Sequence, residues 1–212
     1  MKKLIYALCF SGLMAGFGCQ NESTVSTTEE SKTAAIDMEF AKLFDTVNVV
    51  KMHVFSADES ANYPYNGNAI EGDHLALLAD DLKPADGGQV FACYWLENDD
   101  SYMLRIKNGD AASSLVLARY NPSSGKLEKV SDLAAYTCNE SECQQRDAWF
   151  IDLDDDRDLE LITLDMTLDA DGNKVSETFT VMARDEKGMF SKADEQLAAL
   201  APQDRYVPSS HR

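Results

Sequence analysis

Positive charge is in short supply in this sequence: 19 Lys+Arg stand against 37 Asp+Glu, a formal net charge of −18. So acidic a surface repels nucleic-acid phosphates and anionic lipid headgroups, and it favours cationic partners or divalent metals. A role on DNA or RNA is therefore set aside. Histidine is scarce too, with His53, His74 and His211 the three in the chain. General acid–base catalysis most often uses histidine, and none of the three belongs to a metal-binding or triad motif. Gly-x-Ser-x-Gly, His-Glu-x-x-His and a phosphate-cradling Gly loop are all missing, which removes the common hydrolase and nucleotide-binding signatures. Paired carboxylates of the kind a glycosidase uses occur everywhere in so acidic a chain and point nowhere. The longest apolar run, Leu4 to Phe17, has 14 residues, whereas a helix needs roughly 20 apolar residues to cross a bilayer.

What is present at the start has a direction. Met1-Lys2-Lys3, the apolar run and the small residue Gly18 before Cys19 form the three parts of a secretory signal. Gly16-Phe17-Gly18-Cys19 resembles the lipobox of bacterial lipoproteins, with Gly16 where Leu is typical and Leu13 and Met14 just upstream. The resemblance implies removal of residues 1–18, acylation (palmitate among the chains) of Cys19, and, with Gln20 rather than Asp following, the outer membrane of a bacterial cell envelope. An ordinary signal peptide that leaves a soluble periplasmic protein is the alternative. One acyl chain holds weakly and several hold firmly, so a multiply acylated Cys19 would stay bound. Loss of Lys2 and Lys3 with the leader takes the net charge from −18 to −20.

Residues 19–35 hold Ser, Thr and Glu and almost no large apolar side chain, so they cannot offset the entropy of ordering and read as a flexible tether. A coil of this length spans roughly 20 Å. A single domain is expected over 36–201, with 202–212 a disordered, fraying tail. Ile36, Phe40, Leu43, Phe44 and Val47 recur at helical spacing and predict an amphipathic helix over 36–47. Val49 to Phe55, β-branched and aromatic, predicts a strand, and a loop with a short helical turn at His74 to Leu78 follows. Further strands are expected at Gln89–Leu96, Tyr102–Lys107, Ser114–Tyr120, Lys126–Val130, Ala148–Asp152, Leu159–Asp165, Glu177–Arg184 and Met189–Lys192. Asn108-Gly109, Asn121 to Gly125, Asp171-Gly172 and Gly188 supply the reversals. The fold class is mainly β: an antiparallel meander, propeller-blade-like or one curved sheet, with a short N-terminal helix. Val116-Leu117-Ala118-Arg119 and Val181-Met182-Ala183-Arg184 each lead through a glycine turn into a further strand, a weak internal echo.

Outside the leader and anchor stand Cys93, Cys138 and Cys143. Cys138 and Cys143 bracket four polar residues, a spacing suited to a small disulfide loop in an oxidising compartment. Cys93, inside Val90-Phe91-Ala92-Cys93-Tyr94-Trp95, reads as a buried free thiol or as a partner for one of that pair.

The sharpest local feature is Asp152-Leu153-Asp154-Asp155-Asp156-Arg157-Asp158-Leu159-Glu160. Alternating carboxylates at Asp152, Asp154, Asp156, Asp158 and Glu160 repel one another unless solvent or a hard divalent cation intervenes, and calcium is the natural counter-charge. The segment resembles the calcium loop of FG-GAP and VCBS-type repeats, acid-x-acid-x-acid-Gly-x-x-acid before an apolar strand. Asp152, Asp154, Asp156 and Glu160 match its first, third, fifth and ninth positions. Arg157 takes the place of the glycine, where the loop needs positive φ, a conformation Arg resists. The bland alternative is a solvated acidic turn. Asp169-Ala170-Asp171-Gly172-Asn173 is explained as a hairpin turn without a metal.

These features lead to a non-catalytic binding or structural lipoprotein of the envelope with a calcium-stabilised β domain and a protein or glycan partner, touching the membrane through its lipid alone. Two other classes remain open: an acidic inhibitor or decoy of a cationic enzyme such as a lysozyme, and a hydrolase, which would need His53 or His74 in a pocket beside a carboxylate.

Overall fold

Short β-branched and aromatic segments punctuated by Asn, Asp and Gly become, in the computed structural model, an eleven-stranded sheet. The structure describes residues 36, 38–56, 63–109, 113–185 and 188–209, all within one unit, Thr33–Arg212. The expected leader, Cys19 and tether, and His211, lie outside the described residues. In chain order the elements are α1 (Met38–Ala41), β1 (Asp45–Val47), β2 (Lys51–Val54), β3 (Asn68–Ala69), β4 (Gln89–Leu96), β5 (Ser101–Lys107), β6 (Ser113–Asn121), β7 (Lys126–Cys138), β8 (Glu142–Ile151), β9 (Glu160–Asp169), β10 (Lys174–Arg184), β11 (Phe190–Lys192) and α2 (Glu195–Ala198). From β4 to β11 each strand pairs antiparallel with the next, which is the expected meander. Open rather than closed, the sheet is curved. Irregular register at Ala92/Tyr94 in β4 and at Leu115/Val116 and Leu117/Ala118 in β6 is of the kind that adds local twist.

Alternation along the strands sends side chains into separate cores. Met103, Leu115, Leu117, Ala148, Phe150 and Leu161 share one face with Val54, Tyr63 and Tyr65. On the opposite face, Tyr102, Leu104, Ile106 and Val116 pack under Phe40, Phe44, Leu78 and Leu82. Further along that face, Trp149, Ile162, Leu164, Met166 and Val181 pack under Ala193, Ala201 and Tyr206. The chain thus covers one end of the sheet with its N-terminal segment and the other with its C-terminal one.

Three expectations need correction. The helix predicted over 36–47 is one turn, Met38–Ala41. Phe40 and Phe44 are buried as the pattern required, but Asp45–Val47 leaves the helix to pair parallel with Tyr94–Leu96, a strand preference that β-branched Thr46 and Val47 support. Second, the strands expected to end at Val130 and begin at Ala148 run on to Cys138 and back from Glu142, because Ala135–Cys138 pairs with Cys143–Arg146 in a hairpin whose polar side chains carry no alternation signal. Third, the segment expected to fray is packed over its described residues: Tyr206 is buried, and Ser209 hydrogen-bonds to Asp147.

The echoed pair of arginines has a shared place. Arg119 on β6 and Arg184 on β10 both donate to the Gly188 carbonyl and both reach Asp99. Gly188 has φ +75°, and a Cβ built on it would stand 1.6 Å from Arg119 Nη1, so both the turn and the arginine require glycine there.

Candidate metal centre

β8 ends on the apolar run Trp149-Phe150-Ile151, and β9 begins at Glu160, paired with Ile151. The acidic loop is therefore the hairpin connection between neighbouring strands. It is fixed on both sides, since Leu159 is buried in the first core and Leu153 packs against the third. Between these anchors, carboxylates wind the backbone in short steps. Asp156 N–H donates to Asp154 Oδ1 at 3.3 Å, Asp158 N–H to Asp156 Oδ1 at 2.8 Å, and Arg157 N–H to Asp152 Oδ2 at 3.0 Å. Such side-chain-to-backbone bonds are the ordinary way Asp stabilises a turn.

Asp155 and Arg157 have φ of 64° and 81°. Arg157 thus adopts the conformation it was expected to resist, and its N–H is spent on Asp152. Left-handed backbone costs a residue with a Cβ about 1–2 kcal/mol, and the Asp152 bond and buried Leu159 are what hold it. Arg157 itself is exposed.

The loop brings Asp152, Asp154 and Asp156 together, each offering a carboxylate oxygen, with these atoms within 4.8 Å of one another. That spacing suits oxygens placed 2.3–2.6 Å around a common hard cation. Glu160 is turned inward, 3% exposed, its Oε2 accepting from Leu153 N–H at 2.7 Å. Burial, reinforced by Asp154, Asp156 and Asp152, pushes its carboxyl above the usual range. Asp158 is exposed and outside the trio; its charge acts instead on Arg184. Of the five carboxylates the pattern singled out, three converge, one stands behind them and one faces away.

Whether a cation suits this loop is tested by Asp152 Oδ1, which is buried and accepts no hydrogen bond. A carboxylate oxygen withdrawn from water without a donor is costly, and a cation among the three aspartates would satisfy it. The donors are carboxylates alone, the set that selects calcium or magnesium over softer metals. The fit is to an oxygen-ligated divalent ion.

The Asp169–Asn173 segment forms the hairpin turn expected of it, with Asp169 Oδ1 accepting from Asp171 N–H and Asn173 N–H. Cys138 and Cys143 are disulfide-bonded across the β7–β8 turn. Cys93 is free and buried, and burial pushes its thiol up to about 12.

Sequence reasoning missed Asp147. This aspartate is fully buried on β8, with His53 Nε2 at 2.8 Å, Gln145 Nε2 at 2.9 Å, Ser209 N–H at 2.7 Å and Ser209 Oγ at 3.1 Å. Burial pushes its carboxyl up, but the bonds from His53, Gln145 and Ser209 outweigh it and hold the group below the usual carboxylate range. His53 also stacks on Trp149 at 4.5 Å. A histidine beside a carboxylate is what the hydrolase reading asked for. Yet Ser209 donates to Asp147 rather than to His53, and among the described residues no hydroxyl or thiol is hydrogen-bonded to the imidazole. His74 packs against Phe40, ring centroids 5.5 Å apart. Asp147 stands at the end of the polar stretch Gln144-Gln145-Arg146, just before the apolar run Ala148 to Ile151, and so carried no local signal of burial.

Set beside known proteins, this chain matches no family model, no curated protein and no solved structure.

Proposed function

We propose that this chain is an exported, lipid-anchored protein of the bacterial envelope, non-catalytic, whose β domain is stabilised by calcium held at Asp152, Asp154 and Asp156. The observations that carry the metal half of this reading are one carboxylate oxygen each from Asp152, Asp154 and Asp156 within 4.8 Å of one another, together with a buried Asp152 Oδ1 that has no hydrogen-bond donor. Calcium would supply positive charge at the one place where β8 and β9 are joined by mutually repelling carboxylates. Glu160, already turned inward, would hold the loop's backbone through Leu153 from behind. The anchoring half rests on Cys19 after Gly18 and the basic-then-apolar leader. Acidic as it is, the domain does not adsorb to anionic lipid, so acyl chains on Cys19 are its membrane contact.

The test of the metal is thermal unfolding of the mature domain across millimolar calcium. Ligand that binds the folded state alone stabilises it by about 2.7 kcal/mol at a hundred times its Kd, so Tm should rise with calcium and the rise should vanish in Asp154→Asn/Asp156→Asn. A melting curve indifferent to calcium removes the proposal. Fractionation tests the anchor: Cys19→Ser should move the protein from membrane to soluble fraction, and continued membrane association would rule the lipid out.

A further inference from the structure

The C-terminal segment lies on the sheet as a ligand lies in a site. Pro202–Ser209 forms no backbone ladder with any strand among the described residues; its backbone bonds Arg205 N–H to Pro202 O and Tyr206 N–H to Gln203 O are internal. It is held by side chains on one face of the sheet: Gln203 hydrogen-bonds to Glu177 on β10, and two further places involve β8. At the first, the Tyr206 ring sits against Trp149 at 5.3 Å and Phe179 at 5.5 Å. At the second, one residue is read completely. Asp147 takes the Ser209 N–H and hydroxyl, and Gln145 Nε2 donates to the Ser209 carbonyl at 2.9 Å and to its Oγ at 3.1 Å.

Asp147 and Gln145 are 0% and 4% exposed, flanked on the same face by the apolar Met166, Leu164 and Trp149 and, at Asp147, by His53. Buried polar side chains destabilise a sheet unless their hydrogen bonds are made, and a tail that needed mere covering would be served by apolar contacts. A carboxylate and an amide two residues apart, matched to the N–H, C=O and hydroxyl of a single serine, are the chemistry of peptide recognition. An aromatic slot adds selectivity three residues upstream.

We propose that this face of β8 is a peptide-docking site for a Tyr-x-x-Ser segment, occupied in the isolated chain by its own Tyr206-Val207-Pro208-Ser209. A segment tethered beside its site competes at an effective concentration in the millimolar range, so an outside peptide of the same chemistry gains entry when the tail is displaced.

A fluorescein-labelled peptide of residues 202–209, titrated into the full chain and followed by anisotropy, is the test. It binds weakly to the unaltered protein and at least ten-fold more tightly to Tyr206→Ala/Ser209→Pro, in which the internal segment has lost its ring and its serine. A peptide carrying the same two changes loses that gain, as does an added Asp147→Asn in the chain. A vacated chain that keeps its β-sheet circular dichroism yet binds the peptide no better overturns the proposal. Should the double variant lose its sheet, Ser209→Pro alone, which leaves Tyr206 in its slot, is titrated instead with the same two outcomes.

Discussion

Arg184 on β10 donates to Asp99 in the β4–β5 turn, 85 residues away in sequence, and the two side chains are 9% and 6% exposed. Strands far apart in the sheet order are thus joined by an ion pair instead of a hydrogen-bond ladder. Arg184 also lies over the Phe190 ring at 4.1 Å. Arg119 adds a second guanidinium, its Nη2 3.1 Å from the Asp99 backbone oxygen and 4.0 Å from Asp99 Oδ1. One buried carboxylate therefore serves two arginines.

That imbalance predicts unequal costs. Removing one partner of a buried ion pair costs about 3–5 kcal/mol because the other is left uncompensated. Asp99→Asn removes the carboxylate from the buried Arg184 and from Arg119, leaving Arg184 the Gly188 carbonyl and Arg119 backbone oxygens as partners, and should fall in that range. Arg184→Met leaves Asp99 with Arg119 and keeps an unbranched apolar chain over Phe190, so about 1–3 kcal/mol is expected. Urea unfolding of the two variants checks the order, and an equal or reversed loss would refute the cluster's role in joining the strands.

Acid should act through Asp147. Its folded-state pKa lies below the unfolded value near 3.9, so its contribution to stability is complete above that value and is lost as pH falls through the folded pKa. The wild-type protein should therefore lose stability steeply below about pH 4. Asp147→Asn, weaker at neutral pH because its amide cannot accept from His53, Gln145 and Ser209 as a carboxylate does, should show a flatter slope in that window. Chemical denaturation between pH 2 and 7 measures both, and parallel curves would show that the group does not matter.

Most of the sheet was legible because its strands are short, largely apolar runs bounded by turn residues: Tyr102–Lys107 and Leu159–Asp165 are buried almost end to end, with both faces covered. The polar arm of β7 and β8 was not, since Thr137 and Gln144 pair at a tip where neither face is apolar enough to leave a signature. Helical spacing of Phe40 and Phe44 correctly located two buried rings but not the strand pairing at Asp45–Val47, which depends on a partner near residue 95. In the acidic loop, spacing picked out the three aspartates whose oxygens converge, while the inward turn of Glu160 follows from Leu153 N–H and its burial. The Asp147 site is assembled by residues 94 and 62 positions away, and no local pattern encodes such a meeting.

The disulfide should contribute modestly and selectively. Cys138 and Cys143 are five residues apart, and chain entropy assigns so short a loop about 2 kcal/mol. Reduction should lower stability by about that amount, with the loss confined to the hairpin tip. Cys93 should stay inert, because its thiol is buried and pushed up to about 12, which leaves almost no thiolate at neutral pH. Peptide mapping after iodoacetamide should find Cys138 and Cys143 labelled in the reduced native protein and Cys93 labelled after denaturation. Native-state labelling of Cys93 would contradict its burial.

Arg157 offers the sharpest separation between backbone and charge in the acidic loop proposed to bind calcium. At φ 81° it occupies the position where the calcium-loop pattern carries glycine. Glycine keeps the N–H that binds Asp152 Oδ2 and relieves about 1 kcal/mol of left-handed strain, partly offset by the greater freedom it gives the unfolded chain. Without calcium the gain should be small, because the same substitution removes a positive charge from among six carboxylates. With calcium both effects work together, since the loop is unstrained and the cation no longer competes with a guanidinium. Arg157→Gly should therefore bind calcium more tightly than wild type, while Arg157→Ala, which removes the charge but keeps a Cβ, should show part of the gain. Isothermal titration of the three proteins distinguishes the contributions: equal affinity in Arg157→Gly and Arg157→Ala assigns the gain to charge, and no gain in either means the loop does not hold the ion through Asp152.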